Sequence, residues 1–184
     1  PYYLQSGGGI TLSGGECTLQ PEFSLGLLRA AKDLGISTAI ESMAYAKYEV
    51  IETLLPYLDT YLMDIKHMNP EKHKEYTGHD NLRMLENALR VAHSGQTELI
   101  IRVPVIPGFN ATEQELLDIA KFADTLPGVR QIHILPYHNF GQGKYEGLNR
   151  DYPMGDTEKP SNEQMKAFKE MIQKNTSLHC QIGG

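Results

Sequence analysis

Short apolar runs and helix-period segments take turns along nearly the whole chain, and that alternation restricts the fold more than any other feature of the sequence. The runs Ile10-Leu12, Ser37-Ile40, Thr60-Ile65, Leu99-Val105 and Gln131-Leu135 are too short for helices, and several are rich in β-branched residues. Between them lie recognisable helix boundaries. Glu22-Leu34 follows Pro21 and stops at Gly35, a residue suited to the left-handed C-terminal cap. Tyr48-Leu55 is closed by Pro56, and Asn69-Pro70 supplies an N-cap and a first-turn proline to a helix ending near Gly78. Leu82-His93 stops before Gly95. Thr112-x-x-Glu115 and Ser161-x-x-Gln164 read as capping boxes opening Glu113-Thr125 and Asn162-Lys174. Strand, helix, strand, helix in this order predicts βα units around a parallel sheet. The expected fold is therefore α/β. Five units are too few to close an eight-stranded barrel, which leaves an open sheet or a partial (β/α) barrel of about five βα units with parallel strands. Either architecture binds ligands at the C-terminal ends of its strands.

With 184 residues and no low-complexity tract, the chain is expected to be a single domain with a sizeable core. Its formal net charge of -6 argues against unaided binding to nucleic acid or to an anionic membrane, because both require a cationic surface. Small molecules and proteins remain as partners. No apolar run approaches the roughly 20 residues that span a bilayer. The opening Pro1-Tyr2-Tyr3-Leu4-Gln5 lacks the basic and apolar regions of a signal peptide, so a cytoplasmic location is expected. Cys17 and Cys180 lie near opposite ends with no Cys-x-x-Cys spacing, which disfavours a disulfide scaffold or an intact cysteine metal site. The chain also begins without methionine in an aromatic-rich stretch, as a chain does when an upstream segment has been removed. One domain over residues 1–184, truncated at its N-terminus, is the expected organisation.

The exits of the five strands carry the polar and special residues: Gly14-Gly15-Glu16, Glu41-Ser42, Asp64-Ile65-Lys66-His67, Arg102 with Pro107-Gly108, and Pro136-Tyr137-His138. Two glycines let a ligand approach bare backbone. The carboxylate that follows accepts hydrogen bonds only and so favours a cationic donor such as an ammonium group. A phosphate in that turn is disfavoured, since no basic residue accompanies the glycines. Asp64 and Lys66 are two residues apart and share a strand face, where they either pair with each other or bind a ligand together. Arg102 grips a carboxylate in a bidentate manner that Lys66 does not; alternatively it and Glu41 neutralise each other across neighbouring strands. His138 reads either as a hydrogen-bonded loop residue or as a ligand contact. The seven methionines are core filler, and Cys17 is a small packed residue. The recurrence of such groups at one end of every strand points to a single pocket for a ligand with separate amino, carboxylate and hydroxyl functions.

Several longer stretches carry a resemblance. Ile10-Thr-Leu-Ser-Gly-Gly-Glu16, Tyr61-Leu-Met-Asp-Ile-Lys-His-Met68, Lys72-His73 with Tyr76-Thr77-Gly78, Ile101-Arg-Val-Pro-Val-Ile-Pro-Gly108, Leu135-Pro-Tyr-His138 followed by Gly141 and Lys144-Tyr145, and the closing Gln181-Ile-Gly-Gly184 together resemble the glycyl-radical-enzyme activating enzymes of the radical S-adenosylmethionine superfamily, pyruvate formate-lyase activating enzyme being the best-known member. The resemblance covers nearly the whole chain. It implies the remainder of a (β/α)6 barrel in which a four-iron four-sulfur (4Fe-4S) cluster, held on a Cys-x-x-x-Cys-x-x-Cys loop after the first strand, binds and reduces S-adenosylmethionine. The 5′-deoxyadenosyl radical that results removes a hydrogen atom from a backbone glycine of a partner enzyme. By motif, Gly14, Gly15 and Glu16 are expected to meet the methionine amino group, and Ser42, Lys66 and Arg102 to surround its carboxylate. His138 is expected by the ribose or adenine, and Glu41 and Asp64 help organise the region around a monovalent cation.

The chain also departs from the family. The cysteine triplet is absent, and with it the first strand, so the fragment itself is expected to be inactive and no residue in it is assigned a catalytic or metal-binding role. Glu41-Ser42-Met43-Ala44 replaces the Asp-Thr-Asn-Gly or Asp-Thr-Cys-Gly often found there, which alters any cation geometry because Glu reaches one methylene further. The partners implied are a glycyl radical enzyme of the pyruvate formate-lyase type and an electron donor such as flavodoxin or ferredoxin. The alternatives are an activase of a glycerol or diol dehydratase, a choline lyase or an aryl-substrate lyase, or a non-catalytic docking and binding fragment.

Overall fold

The computed structural model describes residues 7–138, 147 and 157–183. Six strands, β1 (Gly9–Leu12), β2 (Ser37–Ser42), β3 (Thr60–Asp64), β4 (Glu98–Val105), β5 (Gln131–Pro136) and β6 (His179–Ile182), form one sheet in sequential order. Every neighbouring pair is parallel. Helices α1 (Pro21–Asp33), α2 (Tyr48–Leu54), α3 (Pro70–Thr77), α4 (Leu82–Ser94), α5 (Glu113–Thr125) and α6 (Asn162–Asn175) provide the crossovers. The expected parallel α/β architecture is present, with one strand more than the five anticipated. The addition, His-Cys-Gln-Ile, is four residues long and half polar, so its only signature is a single alternation that turns and loops show equally often.

The helix boundaries follow their capping chemistry. Asn69 Oδ1 accepts from the backbone N–H groups of Glu71 and Lys72, both at 3.0 Å, and Gly78 closes α3 at φ 85°. Ser161 and Gln164 form a complete reciprocal box at the start of α6. The Thr112 box is only half formed. Thr112 Oγ1 accepts from Glu115 N at 3.2 Å, but the Glu115 carboxylate instead takes the backbone N–H of Met68, in the loop after β3. Gly9 in β1 is required by proximity: a Cβ there would lie 2.2 Å from the Ser37 carbonyl oxygen on β2.

The two faces of the sheet differ in chemistry. Ile40, Tyr61, Met63, Ile101, Val103, Ile132, Ile134 and Cys180 alternate onto one face and are completely buried against Leu28, Ile51, Val91, Ile119 and Ile172 of the helices. Each such side chain contributes roughly 1.5–3 kcal/mol by leaving water. The opposite face carries Thr11, Glu41, Asp64, Arg102, His133 and Gln181, polar residues at the intervening positions. The apolar half is thus used for packing, and the polar half remains to build a site.

Among the described residues nothing pairs with the outer edge of β1. Beside it, Leu19, Phe23 and Leu27 follow one another at every fourth position and are 77%, 64% and 38% exposed. An open edge next to an apolar stripe is an association surface. The chain on its own is expected to self-associate as its concentration rises, and Phe23→Ser combined with Leu27→Ser to keep it monomeric by light scattering while changing stability by less than about 0.5 kcal/mol. A double variant of unchanged mass would exclude this surface as the contact.

Candidate functional site

Parallel strands in sequential order bring their C-terminal exits to one rim. There Gly14, Gly15, Glu16, Glu41, Ser42, Asp64, Lys66 and Arg102 line a single cleft of about 140 Å³ together with Ser13 and Met43. Eight of the nine residues expected in one pocket therefore converge. The ninth, His138, follows β5, is exposed, and is not part of this lining. Gly141, Lys144, Tyr145 and Gly184, which belong to the family-like stretches, lie outside the described residues, as do Pro1 to Gln5.

Gly14 and Gly15 take φ 82° and 60°, left-handed values that side-chain-bearing residues rarely adopt, and so turn the chain sharply after β1. Glu16 then caps the short turn Cys17–Leu19. Its Oε1 accepts from Thr18 N at 3.2 Å, Thr18 Oγ1 at 2.8 Å and Ser42 Oγ at 2.7 Å, and its Oε2 accepts from Met43 N at 3.0 Å. The carboxylate is consequently fixed between the exits of β1 and β2, and one acceptor position on Oε2 remains open toward a ligand. Ser42 is 5% exposed, and its hydroxyl donates to Glu16 while accepting from Ala44 N at 2.9 Å, so it orients Glu16 before any ligand arrives. Cys17 packs beside Glu16. Burial, reinforced by that carboxylate, pushes its thiol up to about 12, which leaves it protonated and unreactive.

Arg102 joins three strands. Its Nε donates to Asp64 Oδ1 at 3.2 Å on the adjacent β3, and its Nη1 donates to Glu41 Oε1 at 2.6 Å on β2. Glu41 and Arg102 do neutralise each other, but β3 stands between their strands rather than the two being neighbours. Ser13 Oγ donates to the second oxygen of Glu41. Asp64 pairs with Arg102 and not with Lys66, so of the two readings for that pair the mutual ion pair is not formed. The Lys66 ammonium has no ion pair among the described residues. Ser13 and the Met43 backbone were missed at the sequence level; Ser13 was findable, since it lies two residues beyond Thr11 on the same face.

The two carboxylates respond oppositely to this setting. Burial dominates at Asp64 and raises its pKa, despite the nearby charges of Arg102 and Lys66. Burial also acts to raise that of Glu41, but hydrogen bonds from Ser13 and Arg102, with the guanidinium charge, outweigh it and hold the carboxyl below its usual range. Among the described residues, no three His, Cys, Asp or Glu side chains are grouped to hold a metal ion, and Cys17 and Cys180 sit in different places. An iron–sulfur cluster thus finds no ligand set in the described part of this chain.

Two expectations test these local forces. A depressed carboxyl pKa stabilises the fold above the unfolded value and loses that contribution as pH falls through the folded one; a raised carboxyl pKa costs stability at neutral pH. Glu41→Gln is accordingly expected to destabilise the chain in denaturant melts near pH 7, with the difference from wild type shrinking toward about pH 3, whereas Asp64→Asn is expected to be neutral or stabilising. Equal losses at both positions would contradict the assignment. Ala44, buried and at φ 56°, pays about 1–2 kcal/mol for its left-handed backbone against about 0.8 kcal/mol returned by its buried methyl. Ala44→Gly should be neutral or up to about 1 kcal/mol more stable and Ala44→Val more than about 2 kcal/mol less stable, and melts that reverse this order would show that the backbone is not strained.

Residues 4–123 match the Radical SAM superfamily. Over 157 residues, 84% of this chain and 50% of the relative, the chain is 44% identical to the isethionate sulfite-lyase activating enzyme of Nitratidesulfovibrio vulgaris. It is 40% identical to the choline trimethylamine-lyase activating enzyme of Oleidesulfovibrio alaskensis over the same shares. With the pyruvate formate-lyase-activating enzyme of Clostridium pasteurianum the identity is 34%, covering 94% of this chain and 71% of the relative. The chain thus spans about half the length of the first two. Among solved structures, a domain of the pyruvate-formate lyase-activating enzyme from Bacteroides vulgatus superposes with a TM-score of 0.79 at 28% identity, covering 96% of this chain and 99% of that one. SuiB of Streptococcus suis, bound to S-adenosylmethionine, shares the fold at a TM-score of 0.70 and 17% identity, over 96% of this chain and 38% of that one. The chain belongs to the glycyl-radical-enzyme activating enzymes of the radical S-adenosylmethionine superfamily.

Proposed function

We propose that this chain is the S-adenosylmethionine-holding part of an activase that removes a hydrogen atom from a backbone glycine of a glycyl radical enzyme. The observation that carries the reading is the convergence of Gly14, Gly15, Glu16, Lys66 and Arg102 on one rim cleft. The open acceptor position of Glu16 and the bare backbone of the two glycines suit the ammonium of the methionine moiety. The unpaired Lys66 and the remaining N–H groups of Arg102 suit its carboxylate. Ser42 and Glu41 act by holding Glu16 and Arg102 in place. Asp64 sits where a bound cation or the Arg102 guanidinium alone satisfies it, and His138, just beyond β5, is assigned to the ribose or adenine end. S-adenosylmethionine, when bound, supplies the carbon that carries the reactive radical; the chain's own groups orient the molecule and shield it. Because the described residues offer no cluster ligands, the reductive step and the docking of a flavodoxin or ferredoxin donor belong to the activase as a whole. The 184 residues alone are expected to bind S-adenosylmethionine weakly and not to cleave it.

The first-proposed partner class, pyruvate formate-lyase itself, is joined by a second reading. The relatives at 44% and 40% identity are named for isethionate and choline lyases, against 34% for the pyruvate formate-lyase activase of C. pasteurianum, which favours a partner that breaks a carbon–sulfur or carbon–nitrogen bond. The decisive experiment uses the intact protein with reconstituted cluster, reductant, S-adenosylmethionine and each candidate lyase. A glycyl radical by paramagnetic resonance together with 5′-deoxyadenosine is expected with one lyase class, and their absence with all of them would refute the reading. Lys66→Ala and Arg102→Ala are each expected to weaken S-adenosylmethionine binding about tenfold or more, the loss of one charge-assisted hydrogen bond.

A further inference from the structure

The regular pairing of β3 with β4 stops just before Lys66. Its last ladder bond runs from Ile65 N to Arg102 O at 2.9 Å. In a parallel ladder the return bond to Ile65 would come from the residue two further along β4, and that residue is Pro104, which has no N–H to give. Lys66 thus lies one residue past the end of the ladder that aligns it with Arg102. A side chain takes over there. Asn110, in the turn after β4, is completely buried. Its Nδ2 donates to Lys66 O at 2.7 Å and to Pro104 O at 2.8 Å, while its Oδ1 accepts from Ile106 N at 2.7 Å. Both N–H groups of the carboxamide are used, one on each strand exit. Two other buried asparagines also grip strand exits. Asn87 Nδ2 donates to Ala44 O and Ala46 O after β2, at 2.8 and 2.9 Å, and Asn81 Nδ2 donates to His67 O and Met68 O after β3, at 2.6 and 2.8 Å. Each of these holds a single exit. Asn110 joins two, and those two carry Lys66 and Arg102.

We propose that Asn110 is a positioning residue: by bridging Lys66 O to Pro104 O it sets the separation of the Lys66 ammonium from the Arg102 guanidinium, and so fits the cleft to the carboxylate of its ligand. The identity of that ligand rests on the S-adenosylmethionine reading above. Asn110 acts through Lys66 and not on the ligand, since its amide and its carbonyl are all engaged with the main chain of its own fold. A lysine ammonium sits on a flexible four-carbon stem. Anchored at a loose root it would sample many positions and lose more entropy on binding, and the bridge removes that freedom at the root.

The test uses the intact protein with its cluster reconstituted, titrated with S-adenosylmethionine in a calorimeter. Asn110→Asp keeps the acceptor for Ile106 N and removes both donors; Asn110→Ser is a milder change that also loses the bridge. Each is expected to weaken binding about tenfold. Combined with Lys66→Ala, either is expected to add less than about twofold to the loss caused by Lys66→Ala alone, because a root without an ammonium has nothing to position. Losses that multiply to about a hundredfold would mean that Asn110 acts through general stability, and would overturn the proposal. Unchanged binding in both single variants would overturn it too. In the wild-type protein, the nitrogen-15 resonance of the Asn110 side-chain amide is expected to shift on adding S-adenosylmethionine, a readout that stands if a variant fails to fold, and a resonance that stays in place would count against the bridge in the same way. Wild-type protein that binds no S-adenosylmethionine would overturn the proposed function and the role of Asn110 with it, whereas multiplying losses in a protein that does bind leave the proposed function standing.

Discussion

The rim of this sheet depends on one guanidinium held between two carboxylates from two other strands. Arg102, Glu41 and Asp64 have side chains only 14%, 32% and 22% exposed, so each has given up much of its hydration, and none would be stable there alone. Such a partly buried network adds little net stability over an apolar equivalent, because desolvation offsets the attraction. Its effect is orientational. With Nε fixed by Asp64 and Nη1 by Glu41, the planar fork cannot rotate, and three of its five N–H groups stay available in a direction set by β2, β3 and β4. Removing the arginine would leave two acids facing each other in a cleft that already contains Glu16.

This arrangement is possible because the sheet keeps its two faces chemically separate. The period-two alternation sends Ile40, Met63, Ile101 and Ile134 into the helix layer, and the core they build is rigid enough to hold polar neighbours on the other side in register. Register then decides which charges meet. Asp64 stands directly beside Arg102, whereas Glu41 is aligned with Leu62 and reaches Arg102 only by the length of its side chain. The longer acid in place of aspartate therefore acquires a purpose in this chain: it spans β3 to the guanidinium and takes Ser13 on its other oxygen.

Much of this was legible in the sequence, for physical reasons that also explain where legibility stopped. Parallel βα order places every strand exit on one rim, so listing the polar residues at those exits amounted to listing the cleft, from Gly14 through Arg102. Partner choice was not legible. Asp64 chose Arg102 over Lys66 because cross-strand register brings a longer donor within reach, and no sequence spacing encodes register between strands separated by a helix. The hydrogen bonds that hold Glu16 in place come from Thr18, Ser42 and the Met43 backbone, and the last depends on the left-handed Ala44 turn that follows it, in a place where glycine would have announced the conformation. The sixth strand was too short and too polar to show itself.

The charge pattern of the cleft bears on what it accepts. Three carboxylates, Glu16, Glu41 and Asp64, face two cations, Lys66 and Arg102, and Arg102 is committed to two of the acids. Glu16 is held by neutral donors, so its charge is solvated by the protein and not cancelled. The cleft is therefore negative overall while presenting one ammonium, Lys66, that has no ion pair among the described residues. A phosphate would meet repulsion from Glu16 at close range, where a unit charge in a partly desolvated site is felt far more strongly than in bulk water. A ligand that carries more positive than negative charge, with its single carboxylate at one end, meets complementary charge throughout. S-adenosylmethionine, with a sulfonium, an ammonium and one carboxylate, has that pattern.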